Sequence, residues 1–207
     1  MAAARRVLRI ILIRHGQPAI ALKPRTSRHG FRDYIDAYEA AGLDPASLPP
    51  EELRDLVREL DVVFTSDRPR SRESAQALAP HATLTVDPLF AEAPLAAPPL
   101  PLLTMGVPSW AVVARLLWHA GYHPEIENYR KAKHRAAQAA HILIGKAQER
   151  LREQERPNEQ TTGAAALVAH GYFNMMIGRE LRQRGFSKRG SHRVRYWNAV
   201  IYEAKVK

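Results

Sequence analysis

An apolar run near the start of the chain limits the fold more than any other part of the sequence. Residues 7–13 read VLRIILI and are followed directly by Arg14, His15 and Gly16. A short, nearly continuous run of branched apolar residues is typical of a strand that is buried on both faces of a parallel sheet. Because ligands of open α/β sheets bind beyond the carboxyl ends of the strands, we predict that His15 lies at a functional site.

The Arg-His-Gly tripeptide occurs a second time, at residues 28–30. This copy follows the polar segment KPRTS, in which Pro24 is unsuited to the interior of a sheet. The surrounding sequence therefore favours His15 over His29 as the functional histidine. We expect His29 to be a solvated residue near the start of a helix.

Strand-like and helix-like patterns alternate along the rest of the chain. Further strands are predicted at residues 61–66, 84–86, 165–169 and 198–204. Helices are predicted at residues 33–42, 71–78, 110–120, 125–156 and 173–184, with a short one opening at 49–53. The proline-rich segment 94–101 is unsuited to a sheet interior and is expected to form a lid or wall. This order predicts one α/β domain over residues 1–207, a three-layer α/β/α sandwich with a mostly parallel central sheet.

Charge and cysteine content narrow the classes of partner and chemistry. The chain has 31 lysines and arginines against 21 acidic residues, a net charge of +10, so its surface should attract phosphorylated metabolites or nucleic acid. The absence of cysteine excludes disulfides, thiolate nucleophiles and thiolate metal sites. It is also compatible with the reducing cytoplasm, where we expect the protein. We expect no membrane partner, since Arg9 interrupts the first apolar run and no segment is long enough to span a bilayer.

Several polar residues follow the predicted strands at their carboxyl ends. Arg14 and His15 follow the first strand, and the loop after Phe64 follows the second. Glu92 and His170 come just beyond later strands. Parallel strands place these ends at one edge of the sheet, so we expect the residues to meet there.

On these residues the chain resembles the histidine phosphatase superfamily, the phosphoglycerate mutase-like enzymes, over nearly its whole length. Four motifs occur in the family's order: Arg14-His15-Gly16, residues 66–75 with Arg70 as the matching arginine, Glu92, and the pair His170-Gly171. Agreement of four separated motifs is more specific than any one of them. The resemblance implies the phosphoglycerate mutase-like α/β fold and chemistry on phosphate esters.

The resemblance implies a metal-independent phosphatase in which neutral His15 attacks phosphorus and forms a phosphohistidine. A backbone acceptor would hold the proton on the other ring nitrogen. Arg14 and Arg70 would each donate two hydrogen bonds to the phosphoryl group, and protonated His170 would add another. Glu92 would protonate the departing alkoxide and then take a proton from the attacking water. No metal and no cofactor are expected.

Four further residues are predicted to contact the substrate: Gly16, Gln17, Ser27 and Gly171. Gln17 stands where relatives commonly carry glutamate or threonine, and Ala21 stands where many carry an asparagine that touches phosphate. Ser27 is the candidate to replace that asparagine. Gly171 would permit a close approach of the backbone at the start of a helix, which favours an anion site.

The sequence leaves alternatives open. Glu73 and Asp87 compete with Glu92 for the role of the acid. The expected reaction is hydrolysis of a small phosphomonoester, and a phosphomutase is the alternative within the family. The alternative outside it is a catalytically silent protein that holds RNA or another anionic partner, although no nucleic-acid motif supports this. The resemblance also favours a homodimer.

Overall fold

The computed structural model describes residues 6–154 and 161–206. In this part of the chain the helices are α1 (Arg28–Ala40), α2 (Glu51–Val57), α3 (Pro69–Leu78), α4 (Val107–His119), α5 (Tyr129–Glu153) and α6 (Gly171–Gln183). The strands are β1 (Arg6–Arg14), β2 (Thr26–Ser27), β3 (Val62–Thr65), β4 (Thr83–Val86), β5 (Thr104–Met105), β6 (Thr161–Ala169), β7 (Ser187–Arg189) and β8 (Ala199–Val206). A short 3-10 helix, Pro88–Phe90, follows β4. Among the described residues, no helix is long and apolar enough to cross a bilayer.

The central sheet has six strands in the order β4-β3-β6-β1-β8-β7. The four strands from β4 to β1 are parallel to one another. At the other side of β1, β8 runs antiparallel to it, and β7 runs antiparallel to β8. The prediction of a mostly parallel central sheet is therefore confirmed. The strands β2 and β5 form a separate two-stranded ribbon.

Helices cover both faces of the central sheet. Side chains along a strand point alternately to opposite faces. In β1, Ile10 and Leu12 accordingly pack in the apolar cluster that contains the inner faces of α5 and α6. Ile11 and Ile13 pack in the second cluster, with α2 and α3. The predicted layered α/β/α arrangement is thus present, with the strand that precedes His15 buried at its centre.

A third apolar cluster joins α1, α4 and the proline-rich segment 94–101. Its centre is the ring pair Phe31 and Trp110, stacked with 5.7 Å between centroids. Arg28 at the start of α1 donates a hydrogen bond to the carbonyl of Pro98 at 2.9 Å. The segment itself contains neither helix nor strand, as the sequence predicted. It forms one wall of this smaller core.

The starts of α1 and α5 differ most from the sequence prediction, by four or five residues, and side-chain caps explain both. The helix α1 begins at Arg28 rather than near residue 33, because the hydroxyl oxygen of Ser27 accepts a hydrogen bond from the amide of Gly30. The helix α5 begins at Tyr129 rather than at residue 125, because the side chain of Asn128 caps it in the same way. The predicted end of that helix at residue 156 lies outside the described residues. The strands β2, β5 and β7 have only two or three residues each, too few for a recognisable pattern.

The strand order brings three loop starts together. The neighbours β3, β6 and β1 are parallel, so their carboxyl ends lie side by side at one edge of the sheet. The residues directly after these ends are Ser66, His170 and His15. The amide of His15 donates a hydrogen bond to the carbonyl of Ala169 at 2.8 Å, which joins two of the three loops.

Candidate active site

His15 lies at the centre of this edge and is only 1% exposed. Its Nδ1 atom lies 2.7 Å from the carbonyl oxygen of Gly16, which can only accept a hydrogen bond. The proton is therefore assigned to Nδ1, and Nε2 keeps its lone pair. Burial, with the Arg70 guanidinium as the next cause, lowers the pKa of the ring to about 3. The imidazole is neutral at neutral pH, which is the form that a nucleophile requires.

His170 is packed beside it, with 5.2 Å between the two ring centroids. Its Nε2 atom is 2.8 Å from the hydroxyl of Ser66, and its Nδ1 atom is 3.5 Å from an Nη atom of Arg70. Burial holds the pKa of His170 well below its ordinary value, and the proximity of His15 and of the Arg70 guanidinium acts in the same direction. Two neutral imidazoles therefore share this edge of the sheet.

Arg70 is completely buried in the first turn of α3. One of its terminal nitrogens donates a hydrogen bond to the carbonyl of Tyr38 at 2.7 Å, and the other forms an ion pair with Glu39 at 3.0 Å. The same Glu39 carboxylate also pairs with Arg68 at 2.8 Å. The Nε atom of Arg70 is buried and has no hydrogen-bond partner among the described residues.

Arg14 approaches the two histidines from the end of β1. It donates a hydrogen bond to the carbonyl of Val194, and its guanidinium lies over the ring of Tyr196, with 4.6 Å between Cζ and the ring centroid. Its Nε atom, like that of Arg70, is buried and lacks a hydrogen-bond partner among the described residues. A Cβ atom at Gly171 would lie 3.3 Å from Cδ of Arg14, so the glycine at this position leaves room for the Arg14 side chain.

The two unpartnered guanidinium nitrogens are the most informative polar atoms of the site. A buried donor without an acceptor costs about 1–3 kcal/mol, and such groups are uncommon in folded proteins. Arg14 and Arg70 each have one, and both cations act on the buried ring of His15. An anion with several oxygens has the acceptors that such donors lack.

Glu92 lies at the amino end of α6, the helix that begins directly after His170. Its two carboxylate oxygens accept hydrogen bonds from the backbone amides of Phe173 at 2.8 Å and Tyr172 at 3.2 Å. A third amide, that of Ala93, donates to the first oxygen at 2.9 Å. These three amides hold the carboxylate at one position at the start of α6.

The two competing carboxylates have other partners. Glu73 is exposed and accepts a hydrogen bond from the amide of Leu43 at 2.6 Å. Asp87 caps the 3-10 helix by accepting from the amide of Leu89 at 2.8 Å. Neither contacts a histidine of the site. Of the three carboxylates considered, Glu92 is the one held at the first turn of the helix that follows His170.

The remaining predicted residues have defined structural contacts, and their contact with substrate stays a prediction. A Cβ atom at Gly16 would lie 2.5 Å from a ring carbon of Trp197, and the Gly16 amide donates to the hydroxyl of Ser74 at 2.9 Å. Gln17 is exposed. The hydroxyl of Ser27 is engaged as the cap of α1.

Some residues of the site were not singled out from the sequence. Tyr38, Glu39 and Tyr196 contact the two arginines, and none belongs to a motif. The spacing of Tyr34 and Tyr38 places them on one face of α1, which is the only signal that pointed to either. Among the described residues, no three histidine or acidic side chains form a group that could hold a metal ion.

Comparisons with known proteins identify the family of this chain. The family model of the histidine phosphatase superfamily (branch 1) matches residues 10–206. A search of curated protein sequences finds no significant match. Among solved structures, the chain is similar to the ecdysone phosphate phosphatase of Bombix mori in complex with tungstate, with a TM-score of 0.54 and 13% identity over 96% of this chain and 92% of that chain.

Two further solved structures have comparable likeness. One is a mutant phosphoserine phosphatase from Entamoeba histolytica in complex with phosphoserine, with a TM-score of 0.53 and 12% identity over 97% of this chain and 95% of that one. The other is a mycobacterial glucosyl-3-phosphoglycerate phosphatase, with a TM-score of 0.51 and 17% identity over 86% and 80%. At such identities the likeness shows a shared fold. Because the family model covers almost the entire chain, this protein belongs to the histidine phosphatase superfamily, branch 1.

Proposed function

We propose that this chain is a metal-independent phosphatase that hydrolyses small phosphomonoesters through a phosphohistidine on His15. The observation that carries the proposal is the pair of buried, unpartnered Nε donors of Arg14 and Arg70 beside a neutral imidazole. A phosphomonoester carries about two negative charges and several acceptor oxygens, so it complements these donors. The net charge of +10 favours the approach of such an anion.

In the proposed reaction, Nε2 of His15 attacks phosphorus in line with the ester oxygen. The P–N bond forms, the ester P–O bond breaks, and the departing alkoxide takes a proton from Glu92. Water then attacks the phosphohistidine and gives a proton to the Glu92 carboxylate, while the P–N bond breaks and inorganic phosphate leaves. Arg14 and Arg70 stabilise the charge on the equatorial oxygens in both steps.

Glu92 is the proposed proton donor because of where its carboxylate is held. The amides of Tyr172 and Phe173 fix it at the start of α6, the helix that follows His170, whereas Glu73 and Asp87 are engaged elsewhere. The role of His170 is to donate a hydrogen bond to the phosphoryl group. A bound anion beside the ring favours its protonated form, which offsets the effects of burial and of the neighbouring cations.

The proposed substrate class is a small phosphorylated metabolite. The names of the three solved relatives refer to ecdysone phosphate, phosphoserine and glucosyl-3-phosphoglycerate. These compounds share a phosphate ester and differ in the rest of the molecule. The comparison therefore supports the class of phosphomonoesters and no particular member of it.

The decisive test uses the two copies of the Arg-His-Gly tripeptide. Wild type, His15→Ala and the matched control His29→Ala are assayed with p-nitrophenyl phosphate in the presence of a chelator. We expect His15→Ala to lose activity by at least about 1,000-fold. His29 is exposed on α1 and has no part in the proposed reaction, so its variant should keep the wild-type rate. Equal, slow hydrolysis by wild type and His15→Ala would overturn the catalytic assignment.

A second measurement tests Glu92. Because p-nitrophenolate leaves without protonation, Glu92→Gln should still release it in the first step and form the phosphoenzyme. Alkyl phosphates need the proton, so the same variant should be slowed on them by about 10²- to 10⁴-fold. A loss that is equal for both classes of ester would contradict the role of general acid. Transfer of labelled phosphate to an added alcohol, rather than to water, would favour the phosphomutase alternative.

A further inference from the structure

Each arginine of the proposed phosphate clamp lies against the face of a tyrosine ring. The Cζ atom of Arg70 is 4.3 Å from the ring centroid of Tyr38, and that of Arg14 is 4.6 Å from the ring centroid of Tyr196. Both distances are within the range of a cation–π contact. The two tyrosines come from unrelated parts of the fold, Tyr38 from α1 and Tyr196 from the loop before β8.

The same two rings border the nucleophile. The ring centroid of His15 is 5.9 Å from that of Tyr196 and 6.4 Å from that of Tyr38. The buried Tyr34 stacks on Tyr38 with 5.9 Å between centroids, which fixes that ring from behind. Within residues 6–154 and 161–206, the phenol oxygens of Tyr38 and Tyr196 make no hydrogen bond, so their contacts with the arginines are made by the rings.

A guanidinium group donates hydrogen bonds only in its own plane. A ring that covers one face of the guanidinium group fixes the orientation of its plane and occupies none of its N–H donors. The carbonyl of Val194 accepts a hydrogen bond from a terminal nitrogen of Arg14, and the carbonyl of Tyr38 accepts one from Arg70. These bonds fix the rotation of each guanidinium group within its plane. The Nε atoms of Arg14 and Arg70 are left as buried donors of defined direction.

We propose that Tyr38 and Tyr196 are positioning residues that hold the guanidinium planes of Arg70 and Arg14 in the orientation that binds a phosphoryl group. Each ring serves one arginine. The inference rests on the proposed function only in so far as the anion that the clamp binds is a phosphoryl group. It assigns to two tyrosines outside every motif the task of preorganising the clamp.

The test is the affinity for inorganic phosphate, measured by titration calorimetry without any turnover. The proteins compared are wild type, Tyr38→Leu, Tyr38→Phe, Tyr196→Leu and Tyr196→Phe. Loss of a ring should weaken phosphate binding by about 2- to 30-fold, the usual range for cation–π contacts. Phenylalanine restores the ring, so the phenylalanine variants should lose clearly less than the leucine variants.

Coupling between ring and arginine distinguishes positioning from general packing. In an Arg70→Lys background no guanidinium plane lies on Tyr38, so Tyr38→Leu should have little further effect on phosphate affinity. Tyr196→Leu should keep its full effect in that background, because it serves Arg14. Tyr129→Leu is the matched control: Tyr129 packs edge-on against the ring of Trp118, covers neither Arg14 nor Arg70, and should leave phosphate affinity unchanged.

Three outcomes would overturn the inference. Leucine variants that bind phosphate as well as wild type would show that the rings do not position the clamp. Phenylalanine variants that lose as much phosphate affinity as the leucine variants would assign the effect to the tyrosine hydroxyl group. If Tyr38→Leu weakened phosphate binding equally in the wild-type and Arg70→Lys backgrounds, the specific pairing of Tyr38 with Arg70 would be refuted. A wild-type protein that binds no phosphate would overturn the proposed function as well, which separates the two failures.

Discussion

Acid should destabilise this protein through its buried nucleophile. Burial and the neighbouring Arg70 lower the pKa of His15 to about 3, while a histidine in an unfolded chain titrates near 6.5. Between these two values the unfolded chain binds a proton that the folded chain does not, so acidification favours unfolding. The stability that neutral His15 contributes is complete above about pH 6.5 and is lost as the pH falls towards 3.

The expected loss at pH 5 is about 2 kcal/mol, since that pH lies about 1.5 units below 6.5 and each unit is worth about 1.36 kcal/mol. The assay is urea unfolding of wild type and His15→Asn, each at about pH 7.5 and pH 5. Asparagine does not titrate in this range. The free energy of unfolding of wild type should therefore fall by about 2 kcal/mol more than that of the variant between the two pH values.

His170 has a lowered pKa as well and titrates in both proteins, so its contribution enters both measurements. His29→Asn is the control, because this histidine is exposed and should leave the wild-type pH dependence in place. Equal losses for wild type and His15→Asn would refute the reasoning. Such a result would mean that His15 is already protonated in the folded state at pH 5, against the geometry of a buried, neutral imidazole.

Three further substitutions test the surroundings of the site. Gly16→Ala should lower the free energy of unfolding by about 1–3 kcal/mol in urea, because the new Cβ would lie 2.5 Å from the ring of Trp197; an unchanged midpoint would contradict this. Ser66→Ala removes the 2.8 Å contact to His170 and should weaken phosphate binding by about 5-fold in calorimetry, whereas unchanged affinity would show that the contact is not needed. Glu39→Gln removes the negative charge that partly neutralises the clamp, so phosphate should bind roughly 3- to 10-fold more tightly; weaker binding would mean that the ion pair is needed for geometry.

The central part of the fold could be predicted because burial leaves a direct record in the sequence. A strand covered on both faces needs a nearly continuous apolar run, and residues 7–13, interrupted only by Arg9, provide one within β1. Parallel neighbours then place the residues after each strand at one edge, which is why His15 and His170 were expected to meet. Their ring centroids are 5.2 Å apart.

The sequence could not predict what depends on contacts between distant segments. The antiparallel position of β8 beside β1 is such a contact, and it brings the loop before β8 to the site. Tyr196 and Val194 reach Arg14 only through this pairing, and neither belongs to a local pattern. The early start of α1 was missed for a different reason: basic residues and a proline precede it, and the single hydroxyl of Ser27 is enough to begin the helix.

The positive charges of the site affect the protonation of both of its histidines. Arg70 and Arg14 are the donors that the proposed reaction needs for the phosphoryl group, and the same cations, added to burial, keep His15 unprotonated. A phosphate dianion between them would neutralise their two positive charges, which favours a proton on His170 and does not hinder attack by Nε2 of His15. In the proposed reaction, positive charge develops on the attacking ring as the P–N bond forms, and the bound phosphoryl oxygens would compensate it. Neutrality before binding and charge compensation during attack are therefore two consequences of one arrangement of arginines.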